Sequence, residues 1–182
     1  MQTFAKPRCF VDNPRYERDR EHVLASLVLD DIDAPIRAIV AGFARLPQCF
    51  TLQSCYGHFV HAAQPEATNL AALPARDIGP VTYRIAYVAW CLEDSPAGGR
   101  LRAALEEIPV IDPEYVHFGS PEYFWRHHAN SYALQVQPLR FMGRDVAIVE
   151  HREAVHLQRM RNRFFARLAE LVRAERQDPG GG

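Results

Sequence analysis

Alternation of apolar and polar side chains runs through the middle of the chain and predicts short strands. The clearest run, residues 81–92, is apolar at Val81, Tyr83 and Ile85 on one face, as expected of a strand with a buried side. Weaker runs predict further strands at residues 50–54, 59–60, 115–119, 131–141 and 146–149. We therefore expect a central sheet of about five or six strands.

Apolar residues at helical spacing predict helices before, between and after these strands. The predicted helices cover residues 14–28, 33–46, 96–108 and 151–176. Asn13–Pro14 and Ser95–Pro96 each place a capping side chain before a proline, which is a frequent helix start. The last helix is long and amphipathic, so we expect it to pack across the sheet. This order of elements indicates a mixed α+β fold, and no glycine-rich nucleotide fingerprint follows a strand.

Length and composition indicate one globular domain. The chain has 182 residues, of which 48% are hydrophobic and 24% charged. We expect a single domain over residues 1–176, with an irregular insertion at residues 62–80 and a disordered tail at residues 177–182. No apolar run approaches the roughly 20 residues of a membrane span, and the N-terminal residues do not resemble a secretory signal. The chain is therefore expected to be cytoplasmic, with its four irregularly spaced cysteines reduced.

The charge of the chain does not by itself predict a polyanionic partner. The formal net charge is −1, and Lys6 is the only lysine. Arg159, Arg163 and Arg167 recur at four-residue spacing and share one face of the last helix. Such a face can bind RNA phosphates or serve only as a solvated flank, and both interpretations stay open.

Residues 49–61 concentrate the reactive side chains. Cys49, Cys55, His58 and His61 are of the types that bind zinc. On an extended strand, however, Cys49 and Cys55 lie roughly 20 Å apart at about 3.3 Å per residue, too far to share an ion unless the chain folds back. We assign no metal ligand here, although a metal-binding protein that uses Cys55 and His58 remains an alternative.

The same stretch can supply a thiol nucleophile. Tyr56–Gly57 is expected to form the turn that ends the first strand, which places Cys55 at a strand end. His58 follows three residues later and could pair with the thiol as imidazolium with thiolate. A buried structural cysteine is the competing interpretation.

The acidic residues Asp31 and Asp33, the helix after them, and the run Phe50–His58 resemble the family of wybutosine-synthesizing tRNA methyltransferases. These enzymes methylate a tricyclic guanosine derivative beside the anticodon. In that family an acidic residue and a helix precede a strand that leads into a Ser-Ser-Cys-Ser-Gly-Arg signature. The likeness covers about residues 30–60, and beyond it only the order of elements is similar.

Within the signature, this chain keeps Ser54, Cys55 and Gly57. Gln53 and Tyr56 stand where the family has serines. His58 replaces the family's arginine, which removes a fixed positive charge. The resemblance implies that the chain binds S-adenosylmethionine and a modified nucleobase. For such an enzyme the candidate catalytic residues are Cys55 and His58, the thiol–imidazole pair described above, and the candidate residues that bind cofactor or substrate are Ser54, Tyr56 and Gly57.

A second candidate site is the segment from Tyr123 to Asn130, which we expect to be a loop between two strands. Its aromatic rings could stack on a base, and its polar groups could contact phosphate or a base edge. The candidate binding residues are Trp125, Arg126, His127, His128 and Asn130. The competing interpretation is a hydrophobic plug with histidines at its surface.

The sequence thus favours an S-adenosylmethionine-dependent RNA methyltransferase or a relative of one, whose partner is tRNA or a nucleotide-like small molecule. The alternative from another class is a non-catalytic ligand-binding or assembly protein of the same fold.

Overall fold

The structure is a computed structural model that describes residues 5–66, 68 and 70–177. The helices are α1 (Tyr16–Ser26), α2 (Arg37–Phe43), α3 (Pro96–Glu106), α4 (Glu122–His127) and α5 (His151–Gln177). The strands are β1 (Cys49–Cys55), β2 (His58–Val60), β3 (Val81–Arg84), β4 (Ala86–Leu92), β5 (Val116–Gly119), β6 (Ser131–Val136) and β7 (Val146–Val149).

The strands form two antiparallel sheets. One has the order β1-β4-β6-β5, and the other has the order β2-β3-β7. The predicted α+β class and the long C-terminal helix are confirmed, but the strands divide between two sheets instead of forming one.

The division occurs inside the run that sequence reasoning treated as one strand. Ile85 separates β3 from β4, and its N–H donates to Asp145, next to β7. The buried hydroxyl of Tyr83 accepts from Ala86 N–H and donates to the Val136 carbonyl on β6, so one side chain joins the two sheets. The chain stays extended through this junction, which is why alternation alone did not reveal it.

The main core is built from both sheets together with the helices α2, α3 and α5. The buried face of α5 includes Leu157, Phe164 and Leu168, at helical spacing. Where α2 crosses α5, a Cβ on Gly42 would collide with the Val172 side chain, so this glycine permits the close approach. The Phe43 ring packs edge-on against Trp90 of β4, with centroids 5.2 Å apart.

Two predicted boundaries are wrong. Residues 122–127 form a helix instead of a loop, since Pro121 precedes the first turn and Glu122 pairs with Arg126 one turn later. The strand predicted at residues 131–141 ends at Val136, because Pro138 cannot donate to a ladder.

At the C-terminus, Gln177 is the last residue of α5, and residues 178–182 of the predicted tail lie outside the described residues. Among the described residues, no helix is both long enough and apolar enough to span a membrane.

Candidate functional site

The turn between β1 and β2 carries the chain from one sheet to the other, at the position that the sequence predicts. Gly57 has a φ of +87°, in the left-handed region that favours glycine. A Cβ at this position would lie 2.8 Å from the Cβ of Ala86 and 3.1 Å from its backbone. Glycine is therefore required by both the backbone conformation and the close approach to β4.

Asp33 reaches this turn from the position just before a short 3₁₀ helix, Ala34–Ile36, which precedes α2. Its Oδ2 atom accepts a 2.8 Å hydrogen bond from Tyr56 N–H and lies 3.3 Å from His58 Nε2. One ligand-type atom each of Asp33, Cys55 and His58 lies within 4.8 Å of the others. We call these three residues the turn cluster. All three are partly buried, so they form a site between the two sheets that solvent still reaches.

Cys55 has the character of a neutral thiol. Burial raises its pKa above the ordinary value and the Asp33 carboxylate raises it further, whereas the Gly57 N–H and the guanidinium groups of Arg84 and Arg161 lower it. The Gly57 N–H donates to the Cys55 sulfur at 3.4 Å. A raised pKa disfavours the thiolate–imidazolium pair that the sequence suggested.

The two ring nitrogens of His58 have different surroundings among the described residues. Its Nε2 faces Asp33, but its Nδ1 is buried and has no hydrogen-bond partner among the described residues. An unpaired buried polar atom costs about 1–3 kcal/mol, so a bound ligand that contacts this nitrogen would recover that free energy.

Arg161 of α5 contacts two residues of the turn between β1 and β2. It is 3% exposed, and its Nη1 donates to the Gly57 carbonyl at 3.0 Å. Its guanidinium lies 4.0 Å from the centre of the Tyr56 ring. Burial lowers the pKa of Arg161, while Tyr56 and Tyr83 favour its charged form.

Sequence reasoning did not select Arg161, although a signal for it existed. Arg161 lies four residues after Leu157 and three before Phe164, on the inward stripe of α5. An arginine in an apolar stripe is unusual, because burial of its charge requires partners. The arginines of the predicted phosphate face, Arg159, Arg163 and Arg167, are exposed on the same helix.

The other residues of the cysteine–histidine stretch lie away from the turn cluster. Cys49, at the far end of β1, is buried, and its thiol donates to the Phe43 carbonyl at 3.5 Å. His61 shares the buried side of β2 with Phe59, whereas His58 alternates to the other side. Ser54 lies on β1 opposite Val88, next to the cluster.

The segment from Tyr123 to Asn130 lies at the opposite end of the four-stranded sheet. The His128 ring packs edge-on against Phe50 at the start of β1, whereas the turn cluster follows the end of that strand at Cys55. The structure therefore does not bring the two predicted sets of site residues into one pocket.

Asn130 uses its side chain to hold the N-terminal segment. It is fully buried with a φ of 64°, its Oδ1 accepts from Val11 N–H at 2.9 Å, and its Nδ2 donates to the Val11 carbonyl at 2.8 Å. Both polar atoms of the Asn130 amide are therefore paired with the backbone of Val11, so this side chain acts as a clamp on the N-terminal segment.

The remaining candidates in this segment also have partners within the protein. Trp125 packs edge-on against Tyr132, and the Arg8 guanidinium lies over its ring at 5.1 Å. Three further pairs complete the segment: Arg126 with Glu122, the His127 ring with the Tyr123 carbonyl, and the His128 ring with Asp19.

Comparison with known proteins supports the fold and leaves the activity open. No family model matches the chain, and no curated protein matches it. The solved structure of PH1069 protein from Pyrococcus horikoshii superposes with a TM-score of 0.51 at 11% identity, covering 88% of this chain and 95% of that one. A hypothetical protein from Aeropyrum pernix gives a TM-score of 0.41 at 10% identity, over 78% of this chain and 98% of that chain. The first match shows a shared fold.

Proposed function

We propose that the protein is a relative of the wybutosine-type tRNA methyltransferases that binds S-adenosylmethionine and a modified nucleobase at the turn cluster. The observation that carries this proposal is the contact between Asp33 and the turn. The two parts of the sequence resemblance, an acidic residue before a helix and a Ser-Cys-x-Gly turn, are 21 positions apart at Asp33 and Ser54. They meet through the hydrogen bond from Tyr56 N–H to Asp33.

Arg161 supports the proposal because it supplies a positive charge where the family's arginine is missing. His58 takes the place of that arginine in the signature, but the Arg161 guanidinium lies beneath the same turn and bonds to Gly57. The buried guanidinium of Arg161 thus brings a positive charge to the turn from a distant helix.

The chemistry of the cofactor fits the charges around the turn. S-adenosylmethionine carries a sulfonium and an ammonium group, which a carboxylate such as that of Asp33 attracts. Its carboxylate suits the guanidinium of Arg84, which lies opposite His58 in the β2–β3 ladder. When bound, the cofactor would supply the methyl group, and the residues of the turn would hold and orient it.

The exposed arginines of α5 give the proposed RNA partner a place to bind. Arg163 is one turn from Arg159 and from Arg167, on the helix that also supplies Arg161. Contacts from this face to tRNA phosphates would be salt-dependent. The proposal places the protein in the cytoplasm with its tRNA substrate.

Calorimetric titration with S-adenosylmethionine tests the proposal. We expect one site per chain, with affinity reduced at least about tenfold in Cys55→Ala and His58→Ala, a loss of about 1.4 kcal/mol. His127→Ala is the control, since its ring lies at the other end of the sheet, where it contacts the Tyr123 carbonyl of its own helix. The absence of heat with both S-adenosylmethionine and tRNA would refute the proposal.

The neutral character of Cys55 favours a second candidate, a binding protein that keeps the site without catalysing methyl transfer. A protonated thiol is a weak nucleophile. Transfer of a labelled methyl group to tRNA separates the two functions: the enzyme would label the RNA, whereas the binding protein would retain the cofactor and leave the RNA unlabelled.

A further inference from the structure

We infer that Asp33, Cys55 and His58 form a binding site for a divalent transition-metal ion of the zinc class, with three protein ligands and one open position. This inference does not depend on the cofactor proposal, and an ion at Asp33 would take up the carboxylate charge that the sulfonium of the cofactor would otherwise meet. It differs from the metal set that the sequence suggested, because it adds Asp33 and leaves out Cys49 and His61.

The separations suit such an ion. Around a tetrahedral zinc ion with bonds of about 2.0–2.3 Å, neighbouring ligand atoms lie about 3.3–3.6 Å apart. Asp33 Oδ2 and His58 Nε2 are already 3.3 Å apart. The full set, with the Cys55 sulfur, lies within 4.8 Å, so closure around an ion requires side-chain movement of about 1 Å.

The ligands are held in place by the backbone of the turn. Tyr56 N–H fixes the Asp33 carboxylate, and Gly57 N–H points at the Cys55 sulfur. Arg161 in turn holds the Gly57 carbonyl. Outer contacts of this kind orient ligands and strengthen metal sites.

The second nitrogen of the His58 ring, Nδ1, is buried and has no hydrogen-bond partner among the described residues. Buried ring nitrogens in native proteins are paired as a rule. Nδ1 lies across the ring from Nε2, so an ion bound at Nε2 would leave Nδ1 for a further partner, such as a bound water. Three protein ligands with a fourth position for water or substrate is the arrangement of catalytic zinc sites.

The charge of the site is compatible with a dication. Arg84 and Arg161 lie near enough to affect Cys55, and two guanidinium groups oppose a bare cation. An ionised Asp33 and a Cys55 thiolate would neutralise the dipositive ion. The guanidinium groups would then face a centre with no net charge.

Cobalt and zinc titration of the untagged, reduced and chelator-treated protein tests the inference, with no S-adenosylmethionine or RNA present. We expect one Co²⁺ per chain, with a sulfur-to-cobalt charge-transfer band in the near-ultraviolet that Zn²⁺ displaces. Cys55→Ser should abolish the band, and Asp33→Asn should weaken zinc binding by about tenfold or more. Because cofactor is absent, failure here leaves the cofactor proposal untouched.

Cys9→Ser is the matched control, since Cys9 is the exposed thiol of the chain and lies in the N-terminal segment. This variant should bind cobalt as the parent protein does. A urea titration of each variant confirms that it folds. Lack of stoichiometric cobalt binding by the folded parent protein, or a band that survives Cys55→Ser, would overturn the inference.

Discussion

The turn cluster and the segment from Tyr123 to Asn130 are equally rich in reactive side chains, yet they use them differently. Each contains a histidine paired with an aspartate at 3.3 Å: His58 with Asp33, and His128 with Asp19. In the turn cluster the Cys55 thiol lies beside that pair. The Nδ1 atom of His58 is buried and has no partner among the described residues. In the other segment Asn130 is fully paired, with Val11.

The two regions differ in how their polar groups are paired, although buried groups without a partner among the described residues, such as both ring nitrogens of His61, also lie outside the turn cluster. A polar group that is paired within the protein offers little to a ligand, since binding would have to replace a bond that already exists. A group that is buried and unpaired gains by binding. The contacts of the segment therefore hold the N-terminal residues, while no residue of α4 is buried.

The largest expected effect is a loss of stability in variants of Asn130, the residue that clamps Val11. Asn130→Ala removes both hydrogen bonds to Val11 and places alanine at a φ of 64°. We expect the free energy of unfolding to fall by about 3 kcal/mol, from two lost bonds and the left-handed conformation. Urea denaturation measures this loss.

Asn130→Gly separates the two causes. Glycine tolerates the positive φ, so this variant should lose only the hydrogen bonds, about 2 kcal/mol. Neither variant should change cobalt or S-adenosylmethionine affinity per folded molecule. A loss below about 1 kcal/mol in Asn130→Ala would show that the segment does not hold the N-terminal residues by this amide.

The next effect is at the turn and tests how rigidly the cluster is held. Gly57→Ala combines a φ of +87° with contact to Ala86, so we expect destabilisation of about 2 kcal/mol. Gly79→Ala is the control, because Gly79 has a φ of +74° with nothing within 4 Å of its added Cβ. It should cost only about 1 kcal/mol. Urea titrations measure the free energy of unfolding of both variants. Equal losses would mean that Ala86 of β4 shifts to accommodate the added methyl group at little cost.

Local patterns were sufficient to predict most elements and the turn of the site. The periodicity of α5 and the alternation of β3 are properties of neighbouring residues, so both can be recognised in the sequence. The division into two sheets depends on Tyr83 and Ile85 bonding to distant strands, and no local pattern carries that information. Helix α4 was missed because three consecutive aromatic residues have weak helix propensity.

The members of the candidate site follow the same rule. Cys55 and His58 were selected because they are close in sequence. Asp33 and Arg161 join them only through tertiary contacts, across more than twenty and more than one hundred positions of the chain. Asp33 stood in the motif resemblance as an acidic residue, but its contact with the turn could not be inferred from the sequence.

The smallest expected stability change gives the sharpest comparison, because it uses the two histidine–aspartate pairs. Asp33→Asn and Asp19→Asn each remove one charge from a partly exposed pair with the same separation. We expect each to cost less than about 1 kcal/mol, since such pairs are screened by solvent. Zinc affinity should nevertheless fall only in Asp33→Asn, because Asp19 has no thiol close enough to form a ligand set among the described residues. Parallel zinc titrations measure this difference, and equal affinities in the two variants would remove Asp33 from the set of ligands.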